Sequence, residues 1–312
     1  MPATTNDYIP RDEPTSELEE AFDTWQKHRC ATRILVCGDR GIGKSELINH
    51  FLRNKTTEYK RCTLKVGEST TASVYTHVGE ALFGQKELTE QQIINALKAL
   101  PPQILVIENL ENSLLRKNDG FDAFAAIIDI ILQCSKHHLW LTTCTPHAWV
   151  IAKQAIINVN SFTHILSLKG LSEEQIKTML LSRHNNNSLI IPDFSPLNLK
   201  KDEIKKNRSV FSHYPWQQAQ LAEDKGQELY FRILWDYTRG NPRQALYYWK
   251  ASLLWDGDKT QVNLFEIPDQ KVLEQLTDNT LMLLAALIEH NGLDIISLSS
   301  VMNCSVASTR RK

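Results

Sequence analysis

Gly38-Asp39-Arg40-Gly41-Ile42-Gly43-Lys44-Ser45 is the stretch whose residue types and spacing could do chemistry. Closely spaced glycines allow a tight turn in which backbone N–H groups converge. A helix starting directly after the turn adds the positive end of its dipole, and together these cradle phosphate. Lys44 can then reach the outer phosphates, and the Ser45 hydroxyl can help hold magnesium. The flanks suit that chemistry. Ile34-Leu35-Val36-Cys37 is a short continuous apolar run that reads as a buried strand, and Leu47, Ile48, Phe51 and Leu52 form one face of the helix that follows.

A phosphate-binding loop of this kind needs an acid at the end of a neighbouring strand to anchor the metal, directly or through water. Glu108, after Ile104-Leu105-Val106-Ile107, answers that need, and the next residue is Asn109. An amide holds a water by hydrogen bonds but cannot accept its proton, so slow hydrolysis is expected unless another carboxylate serves. Glu111, three residues on, could share the role, although a carboxylate in such a loop is more often an ordinary exposed group. Leu139-Trp140-Leu141-Thr142-Thr143-Cys144-Thr145-Pro146 reads as another buried strand whose polar end, Thr143 or Thr145, could meet a phosphate or place a water.

The elements that must position these groups follow from the pattern of apolar residues. Strands are expected at 34–37, 62–66, 104–107, 139–143 and 165–168, with helices around 74–83, 89–100 and 121–134 between them. Alternating strands and helices specify a parallel sheet covered on both faces. A leading helix is expected from the capping box Ser16-Glu17-Leu18-Glu19, with Leu18, Phe22 and Trp25 on one face. Six cysteines at 30, 37, 62, 134, 144 and 304 show no metal-binding spacing and read as reduced thiols of a cytoplasmic protein. With 35 basic and 36 acidic residues, no global field draws the chain to nucleic acid or membrane, so any DNA contact must be local. The apolar runs 123–132 and 281–288 are too short to span a bilayer.

From Gly170 the pattern turns helical. Ser172-Glu173-Glu174-Gln175 is a second capping box, with Ile176, Met179 and Leu180 as its buried stripe. Positions 184–226, with a lysine-rich run at 200–206, read as a polar excursion. Helix resumes around Tyr230, Ile233 and Leu234, breaks at Gly240, and restarts at Asn241-Pro242, an N-cap followed by proline in the first turn. The segment after 266 resembles a winged helix cut off inside its third helix.

Taken together, these stretches resemble the AAA+ and STAND ATPases, particularly the origin-recognition-type initiators. The resemblance runs over about 10–255: Tyr8-Ile9-Pro10-Arg11 as an adenine-side entry, the phosphate loop, the acidic strand, the sensor strand, and Gly240-Asn241-Pro242-Arg243 as a lid motif. A further likeness, to uncharacterised bacterial ATPase modules, rests on Leu115-Arg116 and Gly120-Phe121-Asp122-Ala123. The resemblance implies an α/β fold: a parallel-sheet, additional-strand P-loop core at 1–169, a helical lid with its insertion at 170–265, and a partial winged helix at 266–312. It implies ATP or ADP with Mg2+ as ligands. Gly38 to Ser45 and Arg243 would bind nucleotide, Ser45 and Glu108 the metal, and Glu108, Glu111 and Thr143 would serve catalysis. Arg116 is a candidate arginine finger toward a neighbouring subunit. The work expected of such a module is that of a switch in which lid closure changes affinity for a protein partner or a second copy. The alternatives are a DNA-loading initiator or transposition regulator, a signalling switch whose output lies beyond Lys312, and a small-molecule kinase.

Overall fold

The computed structural model describes residues 8–67, 69–187, 191–197, 226–256, 259–267 and 271–311. It divides into two compact units, one of residues 11–168 with 271–312, the other of residues 1–10 with 169–270.

The larger unit is built on five strands: β1 (Arg33–Cys37), β2 (Tyr59–Thr63), β3 (Ile104–Glu108), β4 (Leu139–Cys144) and β5 (His164–Ser167). Every pairing is parallel, in the order β2-β3-β4-β1-β5, so β4 lies between the strand that feeds the phosphate loop and the strand that ends in the acid. That is the additional-strand arrangement expected from the sequence.

Side chains alternate across the sheet. Ile34, Val36, Ile104, Val106, Leu139 and Leu141 pack with Leu18, Phe22 and Trp25 of α1 (Asp12–His28) and with Leu47, Ile48 and Phe51 of α2 (Lys44–Arg53). Leu35, Cys37, Leu105, Ile107, Trp140 and Cys144 face the opposite layer of α3 (Thr71–Phe83), α4 (Glu90–Ala99), α5 (Asp122–Cys134) and α6 (Pro146–Ala155). Strands buried on both faces give the continuous apolar runs seen at 104–107 and 139–141. Phe51 is 1 % exposed, and truncating it to alanine would cost about 3–5 kcal/mol through transfer and cavity terms.

Two boundaries differ from the sequence reading. The first helix starts at Asp12, not at Ser16, because Pro14 is tolerated in a first turn whose N–H groups lack intrahelical partners and Asp12 and Glu13 suit the dipole there. The Ser16–Glu19 pattern therefore lies inside the helix. The edge strand β2 is Tyr59–Thr63, not 62–66; its outward residues Tyr59, Arg61 and Thr63 leave only Cys62 fully buried, which makes the hydrophobic signal weak.

In the smaller unit, α7 (Glu173–Asn187) begins with the expected reciprocal cap, Gln175 N–H to Ser172 Oγ at 3.2 Å and Ser172 N–H to Gln175 Oε1 at 2.9 Å. It packs with α8 (Gly226–Thr238) and α9 (Pro242–Ser252) around Tyr230, Phe231 and Trp249. A small sheet that the sequence did not announce joins β6 (Pro192–Asp193), β8 (Lys259–Val262) and β7 (Leu253–Asp256). Most of the polar excursion 184–226, including the 200–206 run, lies outside the described residues.

Residues 271–311 carry α10 (Lys271–Glu274), α11 (Asp278–Glu289), α12 (Ile295–Val301) and α13 (Val306–Arg311). Thr277 and Asp294 cap α11 and α12 by accepting from Thr280 N–H and Ser297 N–H. The described residues of this segment contain no strand, so the wing of a winged helix is not seen there.

Candidate phosphate and metal site

The exit of β1 is held from both sides. Gly38 N–H donates to the Cys144 carbonyl at 3.2 Å, and Leu168 N–H donates to the Cys37 carbonyl at 2.7 Å. A Cβ on Gly38 would lie 2.9 Å from Ile42 Cγ2 and 3.1 Å from the Leu168 carbonyl oxygen, so a larger residue here would force Ile42 and the Leu168 backbone to give way. Gly43, the residue before α2, has φ +107, a region that side-chain-bearing residues rarely enter. No side chain caps α2 from that position, which leaves the first-turn N–H groups to an anion.

Lys44 and Arg11 each bond carbonyls of the loop. Lys44 is 8 % exposed and its Nζ donates to the carbonyls of Gly38 (2.6 Å) and Asp39 (3.3 Å), placing the ammonium inside the curl of the loop. Arg11 donates from Nη2 to the Ile42 carbonyl at 2.6 Å and braces the loop from the start of α1. Ser45 stands exposed at the second position of α2.

The acidic end of β3 is organised by one left-handed residue. Asn109 has φ +62 and ψ +49, and its N–H donates to the Thr143 hydroxyl at 2.8 Å. The chain then winds into a 3-10 turn, Leu110–Ser113, that buries Glu111 to 5 % exposure. Burial pushes the Glu111 carboxyl above the usual range; Lys44, hydrogen bonds from the N–H groups of Glu111 and Thr145, and Arg40 oppose that push. Oε2 of Glu111 has no hydrogen-bond partner.

Glu108 faces the edge strand instead. Its Oε2 lies 3.4 Å from Arg61 Nε and receives the Thr63 hydroxyl at 3.3 Å, while its buried Oε1 has no partner. Arg61 was not singled out in the sequence, and its signal there was slight: one basic residue at an outward position of an edge strand.

Thus Lys44, the Thr145 N–H and Arg40 all act on Glu111, and the Thr143 hydroxyl accepts from the Asn109 backbone while keeping its own proton to donate. Cys37 and Cys144, in register on β1 and β4, floor the same region. Burial raises the Cys37 thiol to about 11 and Cys144 well above its ordinary value, so neither is a nucleophile at neutral pH. Arg243 belongs to the other unit, exposed in the first turn of α9, whose N-cap Asn241 accepts from the N–H groups of Arg243 and Gln244.

Magnesium, implied by the phosphate loop, fits the donors present. The described residues hold no group of three or more His, Cys, Asp or Glu able to bind an ion by themselves. The Ser45 hydroxyl and the unpartnered Glu108 Oε1 offer oxygen to an ion that keeps waters and takes phosphate oxygens for its other ligands.

Residues 28–147 match the family model described as AAA domain. No curated protein matches the sequence. Among solved structures, the Holliday junction branch migration motor RuvB of Thermotoga maritima aligns at 12 % identity over 98 % of this chain and 86 % of its own, with a TM-score of 0.47. The Aeropyrum pernix ORC1 protein, in complex with DNA, aligns at 12 % identity over 100 % of this chain and 84 % of its own, with a TM-score of 0.48. The Aeropyrum pernix ORC2 protein, in ADPNP-ADP complexes, aligns at 11 % identity over 90 % and 76 %, with a TM-score of 0.45. Among the described residues no helix is long and apolar enough to cross a membrane.

Proposed function

We propose that this chain is an ATP-binding switch that hydrolyses ATP slowly and whose nucleotide state changes its affinity for a protein partner or a second copy. The observation that carries the reading is a glycine loop that holds the Lys44 ammonium against its own carbonyls and leads into a helix with uncapped N–H groups, beside a β3 exit that buries Glu111 within the electrostatic reach of Lys44. A buried carboxylate with one unpartnered oxygen suits a group that orients a water and takes its proton.

In this reading the loop N–H groups and Lys44 bind the phosphates, and Ser45 and Glu108 hold magnesium. The metal supplies charge neutralisation on the transferred phosphate. Glu111 activates water, held in place by the Thr145 N–H. Turnover is slow because Asn109 cannot accept a proton and part of the Glu111 carboxylate is already committed to backbone donors. Arg243, carried over by the resemblance to lid motifs, answers to the third phosphate. Calorimetric titration of ATP and ADP into the purified protein, with and without magnesium, combined with a phosphate-release assay, tests this. Micromolar-range, magnesium-dependent ATP binding with slow release is expected. Absence of binding sinks the reading.

A further inference from the structure

One turn of the C-terminal segment, Glu289 to Gly292, sends a polar group to each of three loops of the ATPase core. Glu289 receives Nη1 of Arg116 on both carboxylate oxygens, at 3.1 and 3.0 Å, and His147 Nε2 stands 3.4 Å from its Oε1. The His290 ring, 7 % exposed, is hydrogen-bonded to the Leu114 backbone. Asn291 Oδ1 accepts from Nη1 of Arg40 at 2.8 Å. Leu114 and Arg116 follow the acidic strand β3, His147 is the second residue of α6 at the end of the loop after β4, and Arg40 is the third residue of the phosphate loop.

The turn is a defined structure. Gly292 N–H donates to the Leu287 carbonyl at 2.7 Å and Asn291 N–H to the Ile288 carbonyl at 3.3 Å, with Asn291 at φ +58 and Gly292 at φ +98. Exposed ion pairs are individually weak. Here three consecutive residues of one fixed turn engage three loops, so a shift in any one loop is felt by the turn and by α11 and α12 on either side of it.

We propose that this turn reads the phosphate state of the loop by competing with nucleotide for Arg40. A guanidinium bonds a phosphate oxygen more strongly than a neutral amide oxygen, so a nucleotide in the loop draws Arg40 from Asn291 and loosens the C-terminal segment. Coupling of this kind is reciprocal: a loosened segment raises nucleotide affinity. The inference rests on the nucleotide reading of the loop and adds a regulator to it.

The test combines nucleotide titration with amide hydrogen exchange of the full chain. Wild-type protein with ATP should exchange faster over residues 278–301 than without it. The variant Glu289→Ala with Asn291→Ala should bind ATP about threefold to fivefold more tightly, the size expected from releasing exposed contacts. The milder Glu289→Gln with Asn291→Ser, compared with wild type by circular dichroism, covers the case in which the alanine pair does not fold, and should shift affinity in the same direction. ATP-dependent exchange confined to residues 38–53, with 278–301 unmoved and affinity equal in all variants, overturns the inference while leaving the nucleotide reading intact. Weaker ATP binding by a folded variant overturns it as well. Wild-type protein that binds no ATP brings down the nucleotide reading and the coupling together.

Discussion

The backbone N–H of Asn109 donates to the hydroxyl of Thr143 at 2.8 Å, and this bond between the ends of β3 and β4 fixes the turn that buries Glu111. Asn109 is left-handed, a conformation asparagine accepts and β-branched residues resist. Asn109→Val should therefore lower folding stability by about 1–2 kcal/mol and reduce hydrolysis more than ATP binding, whereas Asn109→Gly should stay close to wild type. Urea denaturation beside phosphate release checks both. A valine variant of unchanged stability would show that the turn is not fixed by Asn109.

Lys44→Ala removes a cation that lies within the phosphate loop. Each charge-assisted contact to phosphate is worth roughly 1.5–3 kcal/mol, so ATP affinity should fall at least tenfold with the fold retained. Calorimetry on the folded variant decides it. Unchanged affinity would remove the loop from nucleotide binding.

Arg243→Ala should leave ADP affinity nearly intact and lower the preference for ATP. An arginine with no nucleotide role would leave the ratio of the two affinities where it was, and parallel titrations with ATP and ADP distinguish the outcomes.

The parallel sheet and phosphate loop were legible because continuous apolar runs such as 104–107, bounded by prolines and charges, report strands buried on both faces, and because the loop's glycines and lysine have a spacing set by phosphate geometry. The caps at Ser172 and Asn241 were legible for the same local reason, the donor and acceptor being three residues apart or less. What could not be read is non-local. The burial of Glu111 depends on a left-handed residue at 109 and on an N–H at 145 that belongs to another strand's exit. The Arg61–Glu108 pair joins neighbouring strands 47 residues apart in sequence, and the contacts of Glu289 to Asn291 with three loops of the core have no local signature at all.

His138 is fully buried where the starts of β3 and β4 meet the end of α4. Its Nδ1 accepts from Gln103 N–H at 3.3 Å and its Nε2 bonds the Leu97 carbonyl at 2.8 Å, a pattern that needs a neutral ring. Burial lowers its pKa from the ordinary value, so the unfolded chain takes up a proton that the folded chain refuses. The stabilisation is complete above about pH 6.5 and is lost as pH falls from there through the lowered value. Denaturation of wild type and His138→Gln between pH 5 and pH 8 should show a steeper acid loss in the wild type, the difference between the two isolating His138 from His290, whose shift has the same sign. Parallel curves would assign the acid sensitivity elsewhere.

Glu111→Gln separates catalysis from binding. Glutamine keeps the length and can still accept the Thr145 N–H, but it cannot take a proton from water, so hydrolysis should fall about 10² to 10⁴-fold while ATP affinity stays close to wild type. Stability should move the other way. Because burial raises the folded-state pKa of Glu111, folding becomes less favourable as pH rises from the ordinary carboxyl range through that raised value, and at neutral pH the ionised group is a cost that glutamine lacks. The variant should thus melt higher than wild type at pH 7 and lose that advantage near pH 4, where both side chains are neutral. Glu108→Gln should behave differently, weakening magnesium-dependent ATP binding along with hydrolysis, since its unpartnered oxygen is the one offered to the metal. Wild-type rates of phosphate release from folded Glu111→Gln protein would take the base role from Glu111, and a lower melting temperature at pH 7 would show that the attraction of Lys44 and Arg40 outweighs its burial.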